Sequence, residues 1–399
     1  MTSVRPLPEQ DPLALWTLDP NVVYLNHGSF GSCPRTILEE QTALRRELEH
    51  EPIVFLDRHL ERMGDAARRA LASLIGAHPD DLAFVENAST GVNTVLRSLV
   101  FSPDDELLTT NHEYNACRNA LQFMADRWGC KIVVADIPFP LESPAQVVEA
   151  ILARVTDRTR LAMISHITSQ TALVLPMKEI VDALQARRVD VLVDGAHVPG
   201  QLPLDVTALG AAYYTGNCHK WLCTPKGSAF LWVRPDRQND IRPLTISHGY
   251  NSTRSDLSRF RQLFDWTGTK DPTAILVIPQ AIEFLSKLFP GGIKELINRN
   301  HQMALAHRRT ICDALAIAPP CPDEMIAAMA AFPLPEATQP PAGHFDVLQN
   351  RLFAEYGIEI PIIYWPAYPQ RLVRYSVQMY NTPEQYDYLA RALVALLPH

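Results

Sequence analysis

The chain has 399 residues, 47% of them hydrophobic and 20% charged, with a formal net charge of −8 at pH 7. That balance is ordinary for a globular protein with room for a large core and two domains, and the acidic charge argues against a nucleic-acid partner, which needs a basic face. No apolar stretch is long enough to span a bilayer and the N-terminus carries no apolar signal core, so neither a membrane nor a secretory route is expected. Seven cysteines without a Cys-x-x-Cys pair or regular spacing fit neither a zinc pattern nor a disulfide framework. They point to a reducing, cytoplasmic compartment and to no metal site.

Residues 1–23 are Pro-rich and irregular, then Val22-Val23-Tyr24-Leu25 leads into Asn26-His27-Gly28-Ser29-Phe30-Gly31-Ser32. Two glycines among polar residues read as a tight loop that exposes its backbone. Residues 35 to about 75 read as helical, with a break near Pro52. Short apolar runs follow at 82–85, 106–109, 131–134, 161–164, 191–193 and 229–233, separated in places by amphipathic stretches such as 144–155 and 178–188. This alternation predicts an α/β fold with a mostly parallel sheet covered by helices on both faces. The stretch Tyr213-Tyr214-Thr215-Gly216-Asn217-Cys218-His219-Lys220-Trp221 reads as a crowded polar-aromatic turn.

After about residue 270 the pattern changes to helices over 273–288 and 292–315, then a Pro-dense segment at 319–341 whose apolar part, 325–334, predicts a strand. A helix at 345–356, a strand pair around 358–363 and 372–377, and a last helix at 383–397 complete a smaller α+β region. The expected organisation is an N-terminal segment 1–25 packing with the small domain, a large domain 26–272 and a small domain 273–399.

Lys220 is the most informative residue. An apolar run upstream ends in Asp194-Gly195-Ala196-His197. An amine that can bond to an aldehyde, and a carboxylate that can hold a protonated heterocycle, are the two protein groups that pyridoxal phosphate needs most. Taken singly, Lys220 reads as a surface lysine and Asp194 as a helix cap. The turn Glu86-Asn87-Ala88-Ser89-Thr90-Gly91 opens a helix with small hydroxylic residues, which makes either an anion site or a plain N-cap; it lacks the Gly-Lys-Ser/Thr of a Walker loop. In Thr109-Thr110-Asn111-His112-Glu113-Tyr114, after a strand, either His112 or Tyr114 is placed to lie over a pyridine ring.

The series Asp-x-Ala-His, then Thr-Gly-x-x-His-Lys-Trp and Pro225-Lys226-Gly227, resembles the fold-type I pyridoxal-phosphate enzymes of aminotransferase class V. Asn26-His27-Gly28-Ser29-Phe30-Gly31 and Asn217-Cys218-His219-Lys220-Trp221 further resemble its isopenicillin N epimerase-like branch, whose relatives include cysteine desulfurases and carbon–sulfur lyases. The similarity runs over nearly the whole chain. It implies a large domain with a seven-stranded, mostly parallel sheet, a smaller C-terminal domain, and pyridoxal 5'-phosphate as cofactor. By the same resemblance Lys220 is the covalent anchor and then the proton carrier at the substrate α-carbon, Asp194 faces the pyridine nitrogen, and His197 faces the phenolic oxygen. Tyr114 matches the stacking position, while Ser89 and Thr90 cup the phosphate with Asn217 and His219 as added donors. Ser169 stands where desulfurases often have an asparagine, which leaves its role open. Trp266-Thr267-Gly268-Thr269 matches a loop that reaches the neighbouring subunit's phosphate, so Gly268 and Thr269 imply a homodimer with shared active sites.

The substrate implied is a small amino-acid-type molecule. Arg374, in Leu372-Val373-Arg374-Tyr375-Ser376 and followed by Tyr380-Asn381-Thr382, has the planar guanidinium that pairs bidentately with an α-carboxylate; Arg371 is its rival. His27 and Ser29 belong to a loop expected to border the substrate. The branch resemblance favours an epimerase-like reaction, with a carbon–sulfur lyase or other β-eliminating enzyme close behind, then desulfurase-like or aminotransferase activity. Desulfuration needs a thiolate on a mobile loop, and Cys312 and Cys321, the only late cysteines, read as structural. A protein that binds the cofactor without catalysis is the distant alternative.

Overall fold

The computed structural model describes residues 12–341 and 343–397. The first eleven residues of the expected N-terminal segment therefore lie outside the described residues. In chain order the strands are β1 (Val23–Tyr24), β2 (Leu82–Val85), β3 (Glu106–Thr110), β4 (Lys131–Ala135), β5 (Thr159–Ser165), β6 (Asp190–Asp194), β7 (Tyr213–Asn217), β8 (Ala229–Val233), β9 (Met329–Leu334), β10 (Ile358–Glu359), β11 (Ile362–Tyr364) and β12 (Arg371–Ser376).

Seven of them form one sheet in the order β2-β8-β7-β6-β5-β3-β4. β8 pairs antiparallel with both β2 and β7, and the other neighbours are parallel. The period of two along each strand sorts the side chains into two cores. Ala162, Ile164, Val191, Val193, Tyr214 and Phe230 enter one; Leu161, Met163, Leu192, Tyr213, Ala229 and Leu231 enter the other. Strands buried on both faces need helices on both sides, which explains their near-continuous apolar composition. Burial of each such large side chain stabilises the fold by about 1.5–3 kcal/mol.

Local sequence sets where the helices begin. Asn87 accepts from the Thr90 N–H and starts the helix Ala88–Ser98. Ser143 with Gln146, and Thr382 with Gln385, form capping boxes before helices that open on Pro144 and Pro383. The helix Gly292–Leu315 buries Ile293, Leu296, Asn300, Ala304, His307, Arg308, Ile311 and Cys312, a single stripe at helical spacing.

The C-terminal strands make a three-stranded antiparallel sheet, β11-β12-β9. The apolar part of the Pro-dense segment is thus a strand. Pro333 sits in it because β9 is an edge. β1 pairs in parallel with β10, which ties residues 23–24 to the C-terminal region. Among the described residues no single helix is long and apolar enough to cross a membrane.

Two expectations need correction. The helix read over 273–288 is two helices, Thr273–Leu276 and Ile278–Lys287, because Pro279 has no N–H to continue the ladder but is tolerated in a first turn. The stretch 213–221 is not a turn throughout: Tyr213–Asn217 is β7, and the turn begins only at Cys218.

Candidate active site

The parallel strands β3, β5, β6 and β7 end together, and the side chains at their carboxyl ends form the site, as in other open α/β sheets. Asp194 is the last residue of β6 and is buried. Its Oδ1 accepts from the Ala196 N–H at 2.9 Å, and its Oδ2 accepts from the Cys117 thiol at 3.2 Å. Burial pushes its carboxyl upward, and the charge of Lys220 works against that shift.

Lys220 lies in the turn after β7, and its Nζ is 3.1 Å from His197 Nε2. Burial first, then the Arg374 guanidinium, pulls the amine down to about 7 from its usual 10.5. A lysine so held has a large neutral fraction near neutrality, the form that attacks carbonyl carbon. With Lys220 donating to Nε2, the ring proton of His197 sits on Nδ1, a buried atom without a partner among the described residues. Burial and the adjacent lysine hold His197 well below the usual histidine range, so the ring is neutral.

Gly31 makes the close approach to this turn possible. Its φ of 68° and ψ of 170° suit glycine alone, and a Cβ there would come 2.1 Å from the His219 carbonyl oxygen and 2.8 Å from Lys220 Cα. His27, four residues earlier, fastens the same turn from below. Its Nε2–H donates to the Lys220 carbonyl at 2.9 Å, and its Nδ1 accepts from the Tyr380 hydroxyl at 2.9 Å. Both nitrogens are used and the ring is fully buried. His27, expected to border the substrate, thus lies buried against the lysine turn and holds it.

At the start of the helix Ala88–Ser98, the Ala88 N–H donates to Asn217 Oδ1 at 2.8 Å, which links the helix to the end of β7. Gly91 permits this packing, since a Cβ there would lie 2.1 Å from Thr215 Oγ1. Ser89 and Thr90 are half-buried in the first turn. The Thr90 N–H and hydroxyl both donate to Asn87 Oδ1, so the Ser89 N–H and hydroxyl and the Asn217 amide NH2 are the donors left here for an anion. The His219 Nδ1–H goes to the Ser228 carbonyl at 3.1 Å. Burial lowers its ring to about 4, so His219 would donate to an anion only after taking a second proton on Nε2.

Of the two rings considered for stacking, His112 is fully buried and committed. Its Nε2 donates to the Ile137 carbonyl and its Nδ1 accepts from Thr171, while its ring packs 4.6 Å from that of Trp365. Tyr114, 45% exposed at the start of the next helix, keeps a free face.

Arg374 on β12 is buried. It donates to the Ser169 carbonyl and, at 3.0 Å, to Ser29 Oγ, and its Nε has no partner among the described residues. Burial lowers the guanidinium to about 10, still cationic at neutral pH. Its rival Arg371 forms a buried ion pair with Asp346 at 2.8 Å, with its Nε on the Pro335 carbonyl, so it is spoken for. Ser169 thus joins the site through its backbone. Gly268 and Thr269 line a separate groove of about 750 Å³ with Ile53, Leu56 and Trp266. The lining of that groove includes none of Lys220, Asp194, His197 or Arg374.

The sequence reading missed Glu113. It is buried between Tyr114 and Ser165, and its carboxyl accepts from both backbone N–H groups and from the Ser165 hydroxyl at 2.6 Å. A strand end carrying His-Glu-Tyr was the available signal, but its partner Ser165 is 52 residues away.

A lysine with a large neutral fraction, a buried carboxylate, an imidazole N–H without a partner among the described residues and a helix N-terminus that keeps the Ser89 donors make a set of groups that fits pyridoxal phosphate at aldehyde, ring nitrogen, phenolic oxygen and phosphate respectively. Fold and donor set together define a pyridoxal-phosphate enzyme of the open α/β kind. The chain belongs to aminotransferase class V, whose sequence pattern matches residues 51–389. It is 34% identical over 391 residues to the isopenicillin N epimerase of Streptomyces clavuligerus, covering 95% of this chain and 96% of the relative. It is 30% identical over 405 residues to a probable chloroplastic L-cysteine desulfhydrase of Arabidopsis thaliana, covering 95% and 84%. In fold it is similar to the cystine C–S lyase C-DES solved with cysteine persulfide, with a TM-score of 0.80 at 23% identity over 95% of this chain and 99% of that one.

Proposed function

We propose that this enzyme binds pyridoxal 5'-phosphate through Lys220 and removes the α-proton of an amino-acid substrate, returning it with inverted configuration in an epimerase-like reaction. The observation that carries the reading is the Lys220–His197 pair, an amine near neutrality held 3.1 Å from a neutral imidazole. The 34–35% identity to two isopenicillin N epimerases supports the epimerase outcome.

The bound cofactor supplies an electron sink for the α-carbanion. This chain's residues do the rest. Arg374 binds the α-carboxylate through the donors now resting on Ser169 and Ser29. Asp194 holds the ring nitrogen, Ser89 and Thr90 the phosphate, and Tyr114 covers one ring face. Lys220 takes the α-proton, with His197 keeping its amine oriented, and inversion requires a proton to be delivered to the opposite face by a second base or by Lys220 itself after it moves.

β-Elimination from a cysteine-type substrate is the second reading, favoured by the 28–30% identity to L-cysteine desulfhydrases. A desulfurase-like route is less well supported. All seven cysteines are buried, and Cys321, which accepts from Arg308, is pushed up to about 11 by burial, so it is a poor thiolate. Seven free cysteines also accord with a reducing, cytoplasmic setting. The groove that holds Gly268 and Thr269 is the face offered to a second copy in a homodimer.

The test is incubation of the holoenzyme with a panel of amino acids in D₂O. Solvent deuterium at the α-carbon with loss of optical purity supports the epimerase reading. Pyruvate and a sulfur product would move the assignment to elimination.

A further inference from the structure

We propose that Glu113 is a positioning residue for the cofactor: it holds the single proton of a buried Glu113–Asp194 pair, so that Asp194 faces the ring nitrogen as the ionised member. The inference rests on the proposed placement of the cofactor ring at Asp194 and assigns a task to a residue that touches neither cofactor nor substrate.

The geometry carries it. Glu113 follows β3, Asp194 ends β6, and Ser165 lies between them, register partner of Asp194 across the β5–β6 ladder and hydrogen-bond partner of Glu113 through both N–H and hydroxyl. Cys117, one helical turn on from Glu113, donates its thiol to Asp194. The nearest ligating atoms of Glu113, Cys117 and Asp194 all lie within 4.8 Å of one another, and all three residues are buried. Two full negative charges this close and this dry repel strongly, so the pair shares a proton. Asp194 is the better anion, because the Ala196 N–H and the Cys117 thiol favour its ionised form and a ring N–H placed against it would add a positive charge. Burial and Asp194 itself push the Glu113 carboxyl up to about 8.

The other titratable groups around the pair are accounted for. Burial holds the Cys117 thiol and the Tyr214 phenol on β7 well above their usual ranges, so both stay neutral. His166, bonded to the Tyr214 hydroxyl, is lowered to about 4 and is neutral too. Among the described residues of the cofactor-free protein, Lys220 is the cation whose charge reaches Asp194. A second negative charge behind the ring therefore arises from Glu113, as pH rises into the weakly alkaline range.

The test uses holoenzyme reconstituted with cofactor labelled with ¹⁵N in the ring, its chemical shift followed from pH 6.5 to 9.5. The wild-type signal should move in one weakly alkaline step, as Glu113 ionises and strengthens the hold on the ring N–H. In Glu113→Gln that step should vanish while the cofactor stays bound. In Ser165→Ala, which removes a hydrogen bond that favours the ionised form, the step should move to higher pH. A step of wild-type size and position in Glu113→Gln overturns the proposal. If that variant fails to fold, an unmoved or lowered step in Ser165→Ala overturns it equally. A wild-type protein that takes up no cofactor would contradict the proposed function itself.

Discussion

Arg374 and Ser29 meet across 345 positions of sequence, guanidinium to hydroxyl at 3.0 Å, at the point where β12 faces the one-turn helix His27–Phe30 after β1. Ser29 is held in turn by Asn26 at 2.5 Å. The resting arginine is thus aimed by neighbours that a carboxylate would displace or join. Its guanidinium also gives a carboxylate geometry that an ammonium cannot.

Replacing Arg374 by Ala should therefore lower kcat/KM by about 2–5 kcal/mol, the cost of losing one partner of a buried charge pair, and mostly through KM. Ser29→Ala removes one hydrogen bond to the guanidinium, so about 1 kcal/mol, roughly a fivefold rise in KM, is expected. Steady-state kinetics on any substrate found by the panel check both.

Lys220 gives a pH signature in the cofactor-free protein. Its pKa is lowered in the folded state to about 7, from 10.5. Between those values the unfolded chain binds more protons than the folded one, so this group makes stability rise with pH across that window. Lys220→Met removes the effect. The variant should be more stable than the wild-type apoprotein at pH 7, and the difference should shrink toward pH 10. Urea unfolding at several pH values measures it, and a difference independent of pH would refute the buried-amine assignment.

Gly31→Ala should be severe for a small change. The left-handed backbone there costs a non-glycine residue about 1–3 kcal/mol, and the new Cβ would press on the His219 carbonyl oxygen and Lys220 Cα. Denaturation midpoints should fall, and cofactor uptake should fall with them because the lysine turn is displaced. Gly64→Ala, whose Cβ meets nothing within 4 Å, is the control.

His27→Phe tests the support beneath that turn. It removes two buried hydrogen bonds: the Tyr380 hydroxyl is left unpaired among the described residues, a loss of about 1–3 kcal/mol, while the Lys220 carbonyl keeps only the Cys223 N–H. Because burial lowers His27 to about 3, the ring is neutral throughout the working range. The variant should reduce stability and kcat without changing the shape of the pH–rate profile. A lost or shifted limb of that profile would mean that His27 titrates in the reaction.

The parts of the fold and site legible in the sequence are those written locally. The two-sided strands β3 to β6 showed as apolar runs, and Asp194, His197 and Lys220 showed because their spacing follows the ends of β6 and β7. β7 itself did not show, since Gly216 and Asn217 are poor strand formers. Pairing with β6 and β8 makes it a strand, and Gly216 is needed because a Cβ would meet Phe230 and Pro199 at under 3 Å. Glu113 and the His27–Tyr380 bond were hidden for another reason: their partners come from distant segments, and no local period marks a long-range hydrogen bond. Arg374 reads ahead of Arg371 from the sequence, and the structure adds that Asp346 claims Arg371.

The central claim is that Lys220 moves the α-proton of an amino acid. Its most direct test compares α-hydrogen exchange in D₂O by wild-type holoenzyme and by Lys220→Ala supplied with the cofactor. The account predicts deuterium incorporation by the wild type with at least one amino acid, and none above background with the variant. Exchange that survives in Lys220→Ala, or is absent from the cofactor-loaded wild type across a broad panel, would contradict it.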